Sequence, residues 1–213
     1  NGIVNEYIHV EKPDQEAVPS RQFDISKIDF DLLSREFAHT RRKNLLLRDL
    51  DELVNQQLAK MLFANPQRID YYDRYQEIID AYNAEQNRAT IEKTFMDLME
   101  LASSLDTEQQ RYVREGFSSD EELSVYDLLF SENLTKQEIE TIKKVSVDLL
   151  TKIKQQIAKL DHWTDKQETK AIVDNLIRNT LWQELPNSYD VSDIQTYQKK
   201  IYEYVYMRYP EVA

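Results

Sequence analysis

Glycine and proline are scarce in this chain: only two glycines and five prolines occur among its 213 residues. Tight hairpins and glycine-rich phosphate loops depend on backbone conformations that glycine adopts far more easily than other residues. With so few turn-forming residues, β-strands have little to connect them. The chain is therefore expected to fold into long helices.

The spacing of apolar residues agrees with this expectation. Apolar residues recur at helical intervals almost from end to end, which predicts an all-α fold, an irregular multi-helix bundle of about seven to eight helices with little or no sheet. Proline lacks a backbone donor and disfavours helix at the residue before it, so one helix is predicted to stop at Asn65-Pro66. A last helix is predicted over about Asp193 to Arg208.

Two stretches carry the signature of a helix start. In LTKQEI, Thr135 can cap the first turn while Glu138 reaches back to the cap's own amide, and flanking apolar residues can close over that turn. A helix of about 25 residues is expected to follow, since 1.5 Å per residue makes such a rod about 37 Å long. Thr164 and Gln167 repeat the spacing, which predicts a new helix from about Thr164 to Leu185-Pro186.

Three segments are predicted along the chain. Residues 1–22 are poorly periodic and contain two of the prolines, so they are interpreted as a connector from a preceding domain. Residues 23–117 are predicted to form one helical subdomain. Residues 118–213 are predicted to form a C-terminal helical subdomain packed on it.

Composition excludes several classes of protein. No cysteine is present, so disulfides, thiolate zinc sites and cysteine nucleophiles are ruled out. This fits a reducing compartment, and a cytoplasmic location is expected. No stretch approaches the roughly 18 consecutive apolar residues of a membrane span, so no membrane partner is expected.

Catalytic and metal-binding patterns are also missing from the sequence. His9, His39 and His162 lie far apart and none belongs to a paired ligand motif, so no metal site is predicted. Glu168-Thr169-Lys170 resembles half of a common nuclease signature, with Pro13-Asp14 as a nominal partner. On a helix, however, the Glu and Lys side chains diverge by about 200°, so no catalytic residue is predicted.

The best candidates for binding are two groups of basic residues on a chain whose formal net charge is -12. One group surrounds a helix start, where cations oppose the helix dipole and so do little for local stability; it comprises Arg41, Arg42, Lys43 and Arg48. The other is a stripe on the helix after Thr135, whose members lie within about 20° of one another; it comprises Lys136, Lys143 and Lys154. Both groups are candidates to contact the DNA backbone. The alternatives are ion pairs with Asp49, Asp51 and Glu52 for the first group, and an ordinary solvated helix face for the second.

Aromatic residues offer a second kind of candidate. Trp163 and Trp182 lie near opposite ends of one predicted helix, and Tyr202, Tyr206 and Tyr209 belong to or follow the last. Large rings at helix boundaries usually fill the core, whereas exposed ones anchor partner proteins. Both interpretations remain open from the sequence alone.

Six motifs, in order, resemble the C-terminal region of the motor (restriction) subunit of type I restriction-modification enzymes. The likeness runs from about Arg21 to Tyr206 through FDISKIDFDLL, NPQRIDYYDRYQEIIDAYN, EELSVYDLL, LTKQEIETIKKVSVDLL, HWTDKQETKAIVDNLIRNTL and LPNSYD. The resemblance implies a helical region of a larger endonuclease that translocates DNA with ATP and Mg²⁺, both held by other domains. No nuclease, Walker or helicase motif maps onto these residues, so the region itself is expected to be neither an enzyme nor a cofactor-binding site.

The resemblance also implies partners. The region is expected to dock the motor to the methyltransferase and specificity subunits, with duplex DNA backbone as a further contact. Expected interface residues are Trp163, Lys166, Lys170, Arg178, Tyr202 and Tyr206. The alternatives are a stand-alone helical scaffold or regulatory module and, third, a cryptic metal-dependent nuclease.

Overall fold

The computed structural model of the chain describes residues 28–85 and 87–210, and within these ranges all regular structure is helical. The all-α prediction is confirmed: the described residues form nine α-helices, of which all but the four-residue α5 have ten residues or more. In chain order they are α1 Phe30–His39, α2 Lys43–Ala64, α3 Ile69–Ala84, α4 Arg88–Gln109, α5 Arg111–Arg114, α6 Asp120–Leu129, α7 Lys136–Ile157, α8 Gln167–Glu184 and α9 Val191–Arg208. None of these helices is long and apolar enough to cross a membrane.

The chain divides into two compact units, one ending at Arg111 and the other beginning at Tyr112. The sequence predicted a boundary after residue 117 and the packing of one subdomain on the other. Both stay predictions. The predicted connector, residues 1–22, lies outside the described residues.

In the first unit, α4 packs against both α2 and α3. The core side chains of α2 recur three or four residues apart, so they form one apolar stripe; they are Leu47, Leu50, Val54, Leu58 and Met61. The ring of Phe37 on α1 stacks on Phe95 of α4, with centroids 3.6 Å apart. As predicted, α2 ends before Pro66, and Asn65 accepts a hydrogen bond from the Gln67 amide to start a single 3-10 turn.

In the second unit, α6 packs on α7, α7 on α8, and α8 on α9. The predicted capping box is confirmed: the Thr135 hydroxyl accepts from the Glu138 amide at 3.3 Å, and the Glu138 carboxylate accepts from the Thr135 amide at 2.8 Å. Helix α7 has 22 residues, slightly fewer than predicted, and buries Ile142, Leu149 and Ile153.

The predicted start of α8 is wrong. The helix begins at Gln167, and the residue before it, Lys166, makes no side-chain capping bond. Thr164, the predicted cap, instead donates its hydroxyl to the carbonyl oxygen of Pro210 at 3.4 Å. The chain between α7 and α8 turns through His162, whose φ of 46° lies in the left-handed region. This turn is held both by residues 209 and 210 and by α8, where the Thr169 hydroxyl donates to the Trp163 carbonyl oxygen at 2.8 Å.

The last helix, by contrast, begins earlier than predicted. Asp190 and Asp193 form a second capping box, with the Asp193 amide donating to Asp190 at 2.8 Å and the Asp190 amide donating to Asp193 at 3.1 Å. Helix α9 therefore starts at Val191, and Ile194, Ile201 and Tyr204 are buried as expected.

A buried carboxyl group lies in the core of the first unit. Asp51 on α2 accepts a hydrogen bond of 2.8 Å from the hydroxyl of Tyr75 on α3, and both residues are buried. Burial raises the pKa of Asp51, the hydrogen bond from Tyr75 offsets part of that rise, and the neighbouring Glu52 adds to it. The charged form of Asp51 is thus disfavoured in the folded chain.

This pKa shift predicts how stability changes with pH. Because the folded pKa of Asp51 is raised, its contribution is fully present below the unfolded pKa of about 4 and is lost as pH rises through the folded pKa. The variant Asp51→Asn keeps an acceptor for the Tyr75 hydroxyl but has no group that titrates at this position. We therefore expect the free energy of unfolding of the natural chain, measured relative to Asp51→Asn by urea denaturation, to fall as pH rises across this window. Parallel pH profiles of the two proteins would contradict this account.

Candidate functional site

Three aromatic rings and a lysine come together where α8 begins and α9 ends; we call this set, Trp163, Lys170, Tyr202 and Tyr206, the aromatic cluster. The Trp163 ring meets Tyr202 and Tyr206 edge to face, with centroid distances of 6.2 Å and 5.7 Å. The two tyrosine rings lie 6.2 Å apart, and the Lys170 ammonium lies 5.6 Å from the centre of Tyr206. Four of the six predicted interface residues are therefore neighbours.

Within the aromatic cluster the tryptophan is the internal member. Trp163 is only 1% exposed, and its indole N–H donates to the carbonyl oxygen of Tyr209 at 2.6 Å. Tyr206 is 39% exposed and the adjacent Met207 is also exposed. The buried indole thus supports tyrosines that reach the surface, and a direct contact of Trp163 with a partner stays a prediction.

The other predicted interface residues lie along α8. Lys166 directly precedes the helix, four residues before Lys170, and Arg178 donates to the side chain of Asn175 at 2.6 Å. Trp182 follows Arg178 by four residues and is 50% exposed. Residues four apart are neighbours on a helix surface, so Arg178 and Trp182 form one exposed basic and aromatic ridge.

The basic residues at the start of α2 surround a surface pocket of about 430 Å³. Its lining is Thr40, Arg41, Arg42, Lys43, Asn44 and Arg88. Arg88 comes from the first turn of α4, so two distant parts of the sequence contribute cations. Arg48, one turn beyond Asn44 on α2, is exposed but does not line this pocket.

Glu92 forms ion pairs with two of the cations that line this pocket, Lys43 and Arg88. Its carboxylate lies 2.6 Å from the Lys43 ammonium and 3.2 Å from Nε of Arg88. Hydrogen bonds from Lys43 and Arg88, together with the positive charge of Lys43, lower the pKa of Glu92. The sequence offered Asp49, Asp51 and Glu52 as alternative partners. Lys43 instead pairs with Glu92 of α4.

Two of the three lysines in the predicted stripe on α7 are paired with carboxylates. Lys143 donates to both the carboxylate and the backbone carbonyl of Glu115, at 3.0 Å and 2.9 Å. Lys154 hydrogen-bonds to Glu121. Burial would raise the pKa of Glu121, but the hydrogen bond and charge of Lys154 outweigh it and lower that pKa. A phosphate contacting Lys143 or Lys154 would compete with those carboxylates, whereas Lys136 is exposed.

Two observations bear on the alternative of a metal-dependent nuclease. No group of three or more His, Asp or Glu side chains there is arranged to hold a metal ion. Glu168 and Lys170 lie on a helix, as predicted, rather than on the strand that a nuclease signature requires. His9 and the Pro13-Asp14 pair lie outside the described residues.

Sequence patterns did not single out one surface residue, Arg88, and left the exposure of another, Trp182, open. Arg88 was missed because its pocket neighbours are more than forty residues away in sequence; the only local signal was its place directly after the helix cap Asn87. The exposure of Trp182 was left open because a helical pattern places a ring on a face but does not say what covers that face.

Comparison with known proteins gives one family. Residues 16–209 match the family model described as "Type I restriction enzyme HindI endonuclease subunit-like, C-terminal". No curated protein and no solved structure matches the chain significantly. The family match covers most of the 213 residues, in agreement with the order of motifs along the chain. The chain therefore belongs to the family of C-terminal regions of HindI-like type I restriction enzyme endonuclease subunits.

Proposed function

We propose that this region is an assembly domain, which docks the endonuclease subunit to the methyltransferase core of a type I restriction enzyme and contacts the DNA backbone. The observation that carries the docking part is the exposed surface of α8 and α9, where Arg178, Trp182, Tyr206 and Met207 all reach solvent. Protein interfaces are enriched in Tyr, Trp, Met and Arg, and their energy is concentrated in a few such side chains.

The proposed mechanism is positioning rather than bond chemistry. The aromatic cluster is internally braced, because Trp163 holds both tyrosines edge to face and is itself tied to the backbone of Tyr209. Rings that are already ordered lose little conformational freedom on binding, which favours affinity. DNA cleavage and ATP-driven translocation, with their Mg²⁺, are assigned to other parts of the subunit.

The docking proposal predicts a loss of binding from two surface substitutions. The double variant Trp182→Ala with Tyr206→Ala, in the full-length subunit, is expected to bind the methyltransferase and specificity subunits at least about 30-fold more weakly, since one hot-spot side chain contributes about 2 kcal/mol or more. Pull-down against each subunit separately, followed by titration of the one that binds, measures the effect.

A matched control lies in the first unit of the same chain. Met96 on α4 is 56% exposed, so Met96→Ala removes an exposed apolar side chain from a different surface. This control is expected to bind as the natural subunit does. Equal affinity of the double variant and the control would reject the surface of α8 and α9 as the docking site.

A further inference from the structure

The pocket at the start of α2 is a concentration of positive charge on an acidic chain. Three guanidinium groups and one ammonium line it, and Glu92 is the carboxylate that pairs with two of them. Counting these five groups leaves a local excess of positive charge, although the whole chain carries -12. An acidic protein repels a polyanion, so such a local excess marks where a polyanion can approach.

The pocket has a fixed wall and an exposed rim. Lys43 is fixed, because its ammonium contacts Glu92 and lies 4.8 Å from the centre of the buried Phe37 ring. The Thr40 hydroxyl accepts from the Arg42 amide at 3.0 Å and so orders the turn between α1 and α2. Arg41, Arg42 and Arg88 are exposed on the rim, the side chain of Arg88 being 86% exposed.

Contacts within the unit account for Lys43, which pairs with Glu92 and lies over the Phe37 ring, but not for the three arginines. Positive groups at the start of a helix oppose its dipole, and α2 also begins without a side-chain capping bond. Exposed ion pairs such as Arg88 with Glu92 contribute little to folding. The placement of three exposed arginines here thus favours a role in binding an external anion.

We propose that this pocket binds adjacent phosphate groups of the duplex DNA backbone, with Arg41, Arg42 and Arg88 as the contacting residues, Lys43 as the fixed wall, and Glu92 as a competing carboxylate that limits affinity. The proposal deepens the DNA contact in the proposed function, on which it rests. It adds Arg88 and Glu92 to the site and assigns the contact to α2 and α4.

The chemistry of the side chains decides what is recognised. Arginine presents paired donors that match two oxygens of a phosphate, and this contact carries no information about base sequence. Binding at the pocket is therefore independent of DNA sequence and depends steeply on salt, because each neutralised phosphate releases condensed counterions.

The test measures how DNA affinity of the full-length protein changes with salt. Each phosphate contact contributes about 0.9 to the slope of log affinity against log salt, so Arg41→Gln with Arg88→Gln is expected to reduce the slope by about two. Glu92→Gln, which releases Lys43 and Arg88, is expected to strengthen binding and steepen the slope by about one. Fluorescence anisotropy of a labelled duplex gives both quantities.

A matched control removes two charges elsewhere. Lys199 and Lys200 are exposed on α9, and Lys199→Gln with Lys200→Gln changes the net charge by the same amount. The control is expected to leave the slope within error of the natural protein. An unchanged slope in the arginine variant, or an equal fall in the control, would overturn the proposal.

A second measurement locates the contact and identifies the source of the phosphate. Hydrogen exchange of the peptide covering residues 40–46 is expected to slow when duplex DNA is added. Slowing by inorganic phosphate but not by the duplex would reject DNA as the ligand. Both results are separate from docking, because the docking variants lie on α8 and α9 and are read by subunit pull-down.

Discussion

Replacing Trp163 with alanine is expected to lower the free energy of unfolding of the second unit by about 3–5 kcal/mol, as large-to-small substitutions of buried aromatic residues do. The indole is 1% exposed, meets two tyrosine rings, and donates its N–H to the Tyr209 carbonyl oxygen. Alanine leaves a cavity and removes this donor. Urea denaturation followed by far-ultraviolet circular dichroism measures the loss.

Trp182 provides the control for this prediction. It lies on the helix that follows Trp163 and is 50% exposed, so Trp182→Ala is expected to change the free energy of unfolding by no more than about 0.5 kcal/mol. The two variants lose the same side chain and differ in burial. Similar effects from both would mean that Trp163 is not the centre of the cluster.

Replacing Glu108 with alanine is expected to destabilise the first unit by about 3–5 kcal/mol, because it takes a buried carboxylate away from two guanidinium groups. Glu108 lies 3.0 Å from Nε of Arg68 and 3.1 Å from Nε of Arg111, and both Arg68 and Glu108 are buried. Removing one member of a buried ion pair is far costlier than removing one member of an exposed pair. Thermal and urea denaturation of the variant measure the effect.

An exposed ion pair of the same unit serves as the comparison. Arg74 and Glu100 lie 2.9 Å apart, but the Glu100 side chain is 72% exposed, so Glu100→Ala is expected to cost at most about 1 kcal/mol. Glu108→Gln retains an acceptor without the charge and should fall between the two. Equal losses from Glu108→Ala and Glu100→Ala would show that burial does not govern these pairs.

Sequence patterns predicted the elements whose causes are local. The capping box of Thr135 and Glu138 involves residues three apart, so its geometry is encoded in six consecutive letters, and α7 begins where it was expected. The end of α2 before Pro66 has a similar local cause. Helix class and several boundaries therefore followed from the sequence.

The missed features depend on contacts between distant residues. Thr164 did not cap α8 because its hydroxyl and the neighbouring indole bond to the chain 46 residues later. Periodicity placed Lys143 and Lys154 on one face, but their carboxylate partners lie 28 and 33 residues earlier in the chain. No local pattern specifies such partners, and the same holds for Arg88 at the α2 pocket.

The positions of the two tryptophans have a practical consequence for spectroscopy. Both lie after Tyr112, and they are the only two in the sequence, so the first unit has no indole chromophore. Selective excitation of tryptophan fluorescence therefore reports the second unit, with Trp163 emitting from an apolar interior and Trp182 from water. A quencher added to the solvent is expected to reduce the emission of Trp182 first. The remaining blue-shifted emission of Trp163 then reports the unfolding of the second unit alone.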